Sequence, residues 1–249
     1  DLMLPTAETL YEVIEKTWPA AGIETVGPWT IRNGNGGGKR VSAATAEHKI
    51  ESSDVRPAEV AMKKLGQPAL FQIRDNDQEL DHILNDQGYQ IIDPVVLYAA
   101  PIEPMAENLP DRLSGIASFP PLAISCEIWE SGGIGSGRIA VMERADCIKT
   151  TLLGRVNDHT AGVLYLGIDQ GCAMVHAVEV AEGFRRQGVA AKLMAHAARW
   201  AADRGAKFMT LVTTTDNTGS NRLYQNLNMA RVGNYHYRIK QDQTKEIPR

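Results

Sequence analysis

Residues 178–190 read VEVAEGFRRQGVA, between the β-like run AMVHAVEV (173–180) and the helix-forming run GVAAKLMAHAARWAADRG (188–205). A strand, a short turn and a helix N-terminus in that order make a natural anion site. The first N–H groups of a helix lack intrahelical partners, and the macrodipole places partial positive charge there. Gly188 and Ala190 keep the backbone bare, so a pyrophosphate can approach closely, and Arg185 and Arg186 add fixed charge. The plainer reading is a strand–helix turn with solvated arginines. The turn is not a nucleotide P-loop, because no Gly-Lys-Ser/Thr follows the glycines. It is not a dinucleotide fingerprint either, because GxGxxG spacing is absent. The other glycine cluster, Gly34 to Gly38, precedes a strand-like piece rather than a helix and reads as a hairpin turn or loop.

Outward from the loop, the long helix has an apolar face of Val189, Leu193, Ala197, Trp200 and Ala201, closed by Gly205, and Trp200 reads as core. Upstream lie the strand-like runs LAISCEIW (122–129), KTTLLGRVN (149–157) and AGVLYLGID (161–169), with a helix-like run at 137–146. Downstream come the strand FMTLVTTT (208–215), a helix SNRLYQNLN (220–228) and the strand ARVGNYHYRIK (230–240). In the first half, residues 5–18 carry Leu10, Val13, Ile14 and Trp18 at helical spacing, with Thr6 placed to cap them. Strand-like pieces at 27–33 and 39–45 follow, then a helix over about 55–65. The strand 69–74, the helix 77–88 and the strand 89–100 complete this half. Residues 101–121 hold five of the twelve prolines and read as a linker.

A shift of 140 positions lays residues 69–98 over 209–238, so that Gly88-Tyr89 meets Asn228-Met229. The order strand, polar turn, short helix, strand matches in both. Identity is poor, so two related halves and a chance likeness both stand.

The chain has 249 residues, 43% hydrophobic and 22% charged, which allows one large domain or two small ones with real cores. No run of about 18 apolar residues exists, so no membrane span is expected. A net charge of −4 is a poor match for nucleic acid or an anionic membrane surface. Cys126, Cys147 and Cys172 show no CxxC spacing, which argues against a zinc site or disulfide framework and for a reducing compartment. The start DLMLPTAETL has neither a basic n-region nor an apolar h-region. A cytoplasmic protein is expected.

The 185–190 pattern resembles the R/Q-x-x-G-x-G/A loop of the GNAT acetyltransferase superfamily, with Arg185, Gly188 and Ala190 on the fixed positions. The preceding AVEV (177–180) looks like that family's fourth strand, whose backbone pairs with the pantetheine arm of acetyl-CoA. The stretch DNTGSNRLYQNLNM (216–229) is similar to the family's N-x-x-(S/A)-x-x-L-Y-x-x-x-G-F segment, with Asn228 in place of Gly and Met229 in place of an aromatic. The resemblance covers about residues 135–240.

It implies an α/β fold with a mixed sheet and acetyl-CoA as co-substrate, with no metal. Val178, Val180, Arg185, Arg186, Gln187, Gly188, Val189, Ala190, Asn217 and Asn221 would hold the coenzyme. It implies transfer of an acetyl group to an amine by direct attack. Such an aminolysis needs a deprotonated amine, donors for the developing oxyanion and a proton for the leaving thiolate. The resemblance gives the second task to a backbone N–H near Glu179 or Val180 and the third to Tyr224, whose ordinary pKa is about 10.

Two residues stand as candidates for the base. Strand alternation places His176, Val178 and Val180 on one face and Ala177 and Glu179 on the other. His176 has an ordinary pKa near 6.5, suited to base work. Glu179 lies nearer the bulge that the family's fourth strand carries. A water relay or an already neutral amine is the third option. Asn217 reads equally as a helix cap. Cys172 lacks an evident partner base, and direct transfer needs no nucleophile. Tyr235, His236 and Tyr237 read as packing residues or as lining of an acceptor pocket.

The first half has no RxxGxG/A loop, and at the 140-residue offset Leu84 stands at Tyr224 and Asp81 at Asn221. The expectation is therefore two GNAT-like domains in tandem, a degenerate one over 1–115 and a catalytic one over 116–249. The acceptor is a small-molecule or peptide amine, and the acidic balance favours a small cationic one. Rival readings are an acyl-CoA-binding regulatory module without turnover and a transferase of a longer acyl group. A homodimer is left open.

Overall fold

In the computed structural model, which describes residues 3–109 and 115–240, the 173–180 run is a strand and a helix starts directly after Gly188. The order begins α1 (Ala7–Thr17), β1 (Gly22–Val26), β2 (Trp29–Asn33), β3 (Thr45–Ala46), α2 (Val55–Lys64), β4 (Leu70–Arg74), α3 (Gln78–Asp86) and β5 (Tyr89–Pro101). It continues α4 (Glu103–Glu107), β6 (Gly115–Ser118), α5 (Ala123–Ser131), α6 (Ser136–Arg144), β7 (Ile148–Val156), β8 (His159–Asp169) and β9 (Cys172–Val180). It closes with α7 (Val189–Ala202), β10 (Phe208–Thr214), α8 (Thr218–Asn226) and β11 (Ala230–Lys240).

Two compact units emerge. Unit 1 takes the chain up to Trp18, then Leu97–Thr213 and Asn217–Val232; unit 2 takes Pro19–Val96, Thr214–Asp216 and the chain from Gly233. In unit 1, β6, β7, β8 and β9 pair in that order as antiparallel neighbours, and β10 joins β9 in parallel. Helix α7 covers one face. A Cβ on Gly162 would stand 3.0 Å from Val189 Cγ1, and one on Gly154 3.0 Å from Leu193 Cδ2, so both glycines admit the helix. Burying Leu193 this way is worth about 1.5–3 kcal/mol. The other face carries Trp18, Tyr165 and His176, and the Tyr165 hydroxyl donates to Thr17 O (2.8 Å). Thr6 caps α1, its hydroxyl oxygen accepting from Thr9 N (3.2 Å).

In unit 2, β1, β2 and β3 form an antiparallel sheet, and β4 pairs antiparallel with β11. Trp29, Ile31, Met62, Phe71, Leu84 and Tyr89 fill its core. Asp81 Oδ1 accepts from His236 Nε2 and Arg238 Nε, each at 2.7 Å. The Arg238 guanidinium also donates to Tyr89 O at 2.8 Å.

The 140-residue offset appears in the local structure. Helices α3 and α8 each span nine residues, and both bounds of α8 lie 140 positions after those of α3. The positions after them match too. Gly88 takes φ 87° and Asn228 φ 61°, with Gly88 N donating to Asn85 O and Asn228 N to Gln225 O. Asn is the non-glycine residue that tolerates the left-handed helix end best, which explains its presence at 228.

Several local expectations need correction. Residues 122–129 are helical, not strand-like: Ser125, Ile128 and Trp129 are buried three and four apart, and this periodicity outweighs local β propensity. Residues 101–121 are not simply a linker, since they contain α4 and β6; residues 110–114 lie outside the described part. The 39–45 piece is mostly a 3-10 turn leading to the two-residue β3. Trp200 is half-buried, with the Arg204 guanidinium 3.9 Å from its ring centre.

Among the described residues no helix is long and apolar enough to cross a membrane, no cluster of ligating side chains could hold a metal ion, and the three cysteines are free.

Candidate active site

Strands β9 and β10 pair only over Cys172–Val175 against Phe208–Leu211. Beyond Val175, β9 runs on to Val180 while its pairing continues on the β8 side alone. The edge of β9 turned from β8 thus presents backbone groups that need partners. Trp129 Nε1 supplies one, donating to Ala177 O at 2.8 Å.

A bulge sits at this opening. Ala177 takes φ 56°, and the register passes from Tyr165 opposite His176 to Val163 opposite Glu179. Strand β8 retreats two residues while β9 advances three, so one β9 residue is extra. His176 and Glu179 therefore share a face. This corrects the strict alternation expected from the sequence, which placed them on opposite sides.

His176 is buried and its ring stacks on Trp18, centres 4.9 Å apart. Its Nε2 lies 2.8 Å from Thr17 Oγ1, and the Thr17 hydroxyl donates its one hydrogen to Val13 O, also at 2.8 Å. Nε2 is accordingly the donor toward Thr17, a tautomer assigned from the network.

Glu179 is half-buried. Burial pushes its carboxyl above the usual carboxylate range, while Arg185 draws it down. Arg185 Nη2 stands 3.9 Å from Glu179 Oε1. Val178 and Val180 flank it, each half-buried.

The loop after β9 makes one 3-10 turn over Glu182–Phe184 and then passes through Arg186 (φ 62°) and Gly188 (φ 74°). Gly188 is the N-cap of α7, is exposed, and has nothing within 4 Å of where a Cβ would be. The N–H groups of Val189, Ala190 and Ala191 precede the hydrogen bond from Lys192 N to Gly188 O (3.1 Å). No acidic side chain occupies this first turn. Arg185, Arg186 and Gln187 are exposed, whereas Val189 is buried against Gly162. Gln187 Nε2 donates to Gly183 O (3.3 Å).

On α8, Asn217 acts as the N-cap, its Oδ1 accepting from Ser220 N at 3.1 Å. Asn221 Nδ2 donates to Asn217 O, and Asn221 Oδ1 accepts from the Tyr98 hydroxyl, both at 2.7 Å. The Tyr224 ring centre lies 5.8 Å from that of Tyr98. Burial pushes the Tyr224 hydroxyl up to about 12. A cavity of about 440 Å³ borders α7 at Ala191, Lys192 and Ala195, with Met105, Asn226 and Asn228 also on its wall.

The arrangement joins Glu179 to the coenzyme-loop candidate Arg185, and joins Asn217, Asn221 and Tyr224 through Tyr98. His176 sits in its own cluster with Thr17 and Trp18. Cys172 lies at the paired end of β9, and burial, with Asp169 nearby, raises its thiol to about 11. Tyr235, His236 and Tyr237 belong to unit 2, where His236 meets Asp81. Thr17, Trp18, Tyr98, Trp129 and Gly132 were not legible as site residues. They come from segments far away in sequence, and none carries a motif.

The backbone chemistry suits acetyl-CoA: helix N-terminal donors for phosphates, a glycine that admits close approach, and a strand edge that β10 leaves beyond Val175 for amides. Comparison with known proteins agrees. Residues 126–229 match the Acetyltransferase (GNAT) family. The chain is 23% identical over 237 residues to the uncharacterized N-acetyltransferase YobR of Bacillus subtilis (strain 168), covering 90% of this chain and 94% of that protein. Its fold is that of a GCN5-related N-acetyltransferase from Kribbella flavida, with a TM-score of 0.72 at 16% identity over 97% and 98% of the two chains. It is also similar to a tandem GNAT protein from the clavulanic acid biosynthesis pathway, solved without AcCoA, with a TM-score of 0.57 at 9% identity over 79% and 74%.

Proposed function

We propose, from the premise that this chain is an acetyltransferase whose residues 126–229 form a GNAT domain, that it moves an acetyl group from acetyl-CoA to a primary amine by direct transfer. The observation that carries this reading is the end of the β9–β10 ladder at Val175 and Leu211, beside the bare N-terminus of α7.

The N–H groups of residues 188–191, with Arg185, Arg186 and Gln187, bind the coenzyme phosphates. The backbone of Val178 and Val180 holds the pantetheine amides. Lys192, Asn226 and Asn228 face a cavity that suits the nucleotide end. Asn217 caps α8 and Asn221 fixes Tyr98, so both act on the coenzyme through the placement of that helix.

Glu179 is the base. Its burial favours the protonated product of that task, and a base tuned toward neutrality transfers protons best. It takes a proton from the amine as the nitrogen–carbon bond forms. A backbone N–H near Glu179 or Val180 donates to the oxyanion. Tyr224 gives its proton to the thiolate as the carbon–sulfur bond breaks. His176 is a positioning residue that pins the bulge to α1. Cys172, raised by burial and held in the paired part of β9, is left out.

The acceptor is a small-molecule or peptide amine, with a small cationic amine preferred. The halves 1–115 and 116–249 are read as GNAT-like repeats, supported by the common offset of α3 and α8, and the first lacks a coenzyme loop.

Calorimetry of the full chain with acetyl-CoA, beside Gly188→Glu, tests this. One site per chain, lost in the variant, is expected, together with thiol release on a panel of polyamines, amino acids, aminoglycosides and lysine peptides. Two sites per chain overturn the degenerate first half. Tight binding without thiol release on the whole panel turns the reading into a coenzyme-binding module.

A further inference from the structure

Gly132 ends α5, and its backbone does not explain why it is glycine. Its φ of −90° and ψ of 4° are open to other residues. The left-handed residue of this helix end is the next one, Gly133, at φ 86°, with nothing within 4 Å of its Cβ position. Gly132 N donates to Ile128 O and Trp129 O, Gly133 N to Glu130 O and Ile134 N to Trp129 O, bonds that do not require residue 132 to be glycine.

The demand comes from β9. A Cβ on Gly132 would lie 2.2 Å from Glu179 Cδ, 2.4 Å from Oε1 and 2.6 Å from Oε2. All three carboxyl atoms thus occupy the space that any other residue's Cβ would take. The helix end cannot drift away to make room, because Trp129, three residues earlier, is tied to the bulge through its bond to Ala177 O. On its other flank the carboxylate meets Arg185.

We infer that Gly132 is a positioning residue for the reaction, whose missing side chain selects the Glu179 rotamer and sets the carboxylate where it works. This rests on the reading of Glu179 as the base. A carboxylate displaced by about 1 Å costs on the order of 100-fold in rate. Gly132→Ala tests the contact with little backbone disturbance, because the backbone conformation is already open to alanine.

The experiment uses the full chain with wild type, Gly132→Ala, Glu179→Ala and the double variant. Two readouts are taken. One is thiol release from acetyl-CoA with the best acceptor of the amine panel, as a function of pH. The other is the titration of Glu179 followed by carbon-13 NMR in glutamate-labelled protein, which needs no acceptor. Gly132→Ala is expected to lower kcat about 100-fold with the KM for acetyl-CoA unchanged, and to move the Glu179 midpoint down toward the ordinary carboxylate value as the group is pushed into solvent. In the Glu179→Ala background the same change is expected to cost no more than about two-fold, and to lower Tm less than it does beside Glu179.

A Gly132→Ala protein with kcat within about two-fold of wild type and an unmoved Glu179 midpoint overturns the inference, even where Glu179→Ala is severely impaired. Full turnover in Glu179→Ala instead overturns the reading of Glu179 as base. Should Gly132→Ala fold only when Glu179 is also removed, the steric contact is established directly.

Discussion

Arg185 Nη2 lies 3.9 Å from Glu179 Oε1, so a guanidinium of the candidate phosphate loop stands beside the proposed base. Arg185 is 61% exposed, and an ion pair at that exposure contributes little to stability. Its effect is on protonation instead.

Arg185→Gln removes the charge that draws the Glu179 carboxyl down, and burial then acts alone to raise it. A base works deprotonated, so the acid limb of the kcat profile is expected to move to higher pH. Affinity for acetyl-CoA is expected to fall about ten-fold, the worth of a charge-assisted hydrogen bond. A pH–rate profile beside calorimetry checks both. An acid limb that stays in place would break the link between Arg185 and the base.

Tyr224→Phe keeps the buried ring and removes the hydroxyl. Turnover is expected to drop about 10²–10⁴-fold with acetyl-CoA affinity nearly unchanged. With its hydroxyl pushed up to about 12, Tyr224 stays protonated through the neutral range, so wild type is expected to show no alkaline fall from this residue below about pH 11. Equal kcat in the two proteins would remove Tyr224 from the acid role.

Gly188→Glu places a side chain on a residue at φ 74° and a carboxylate at the mouth of α7. The strain is about 1–2 kcal/mol. Like-charge repulsion with the coenzyme phosphates is expected to cut acetyl-CoA affinity more than about 100-fold. Calorimetry reads this directly, and retained micromolar binding would move the phosphate site elsewhere.

Asp81 in unit 2 provides a stability prediction. Burial raises its carboxyl, but hydrogen bonds from Arg238 and His236 outweigh this and hold it below the usual carboxylate range. A depressed folded pKa contributes stability that is present above the unfolded value and lost as pH falls through the folded one. Asp81→Asn is expected to cost about 1–3 kcal/mol at pH 7, since it deprives the buried Arg238 of its charged partner. The cost should shrink in acid, where wild type loses the same interaction. Urea melts at pH 7 and pH 3 check this; an equal cost at both would assign the effect to packing alone.

Much of the candidate site was readable because its geometry is local. The VEVAEGFRRQGVA stretch carries the strand, the turn and the bare helix start within thirteen residues, and helix N-terminal donors arise wherever such a stretch folds. The Asn217–Tyr224 helix was likewise visible from its spacing, and its 140-residue offset from α3 survives in both helix bounds and both left-handed end residues. The helix at 122–129 was not visible, because a short apolar run fits either periodicity until something packs against it.

The amino-acid sequence alone determined the element order around the loop and the bare helix start after Gly188; the candidate phosphate contacts of residues 185–190 and the candidate acid Tyr224 came with the resemblance. Tertiary structure alone decided the surroundings of the proposed base. A one-residue bulge reversed the facing of His176 and Glu179, because a strand's side-chain period of two makes every later residue change sides when one is inserted. Trp18 and Thr17 packed against His176, and a helix end more than forty residues upstream left Glu179 the space of a missing Cβ at Gly132. Contacts between segments so far apart depend on packing, which no local pattern encodes.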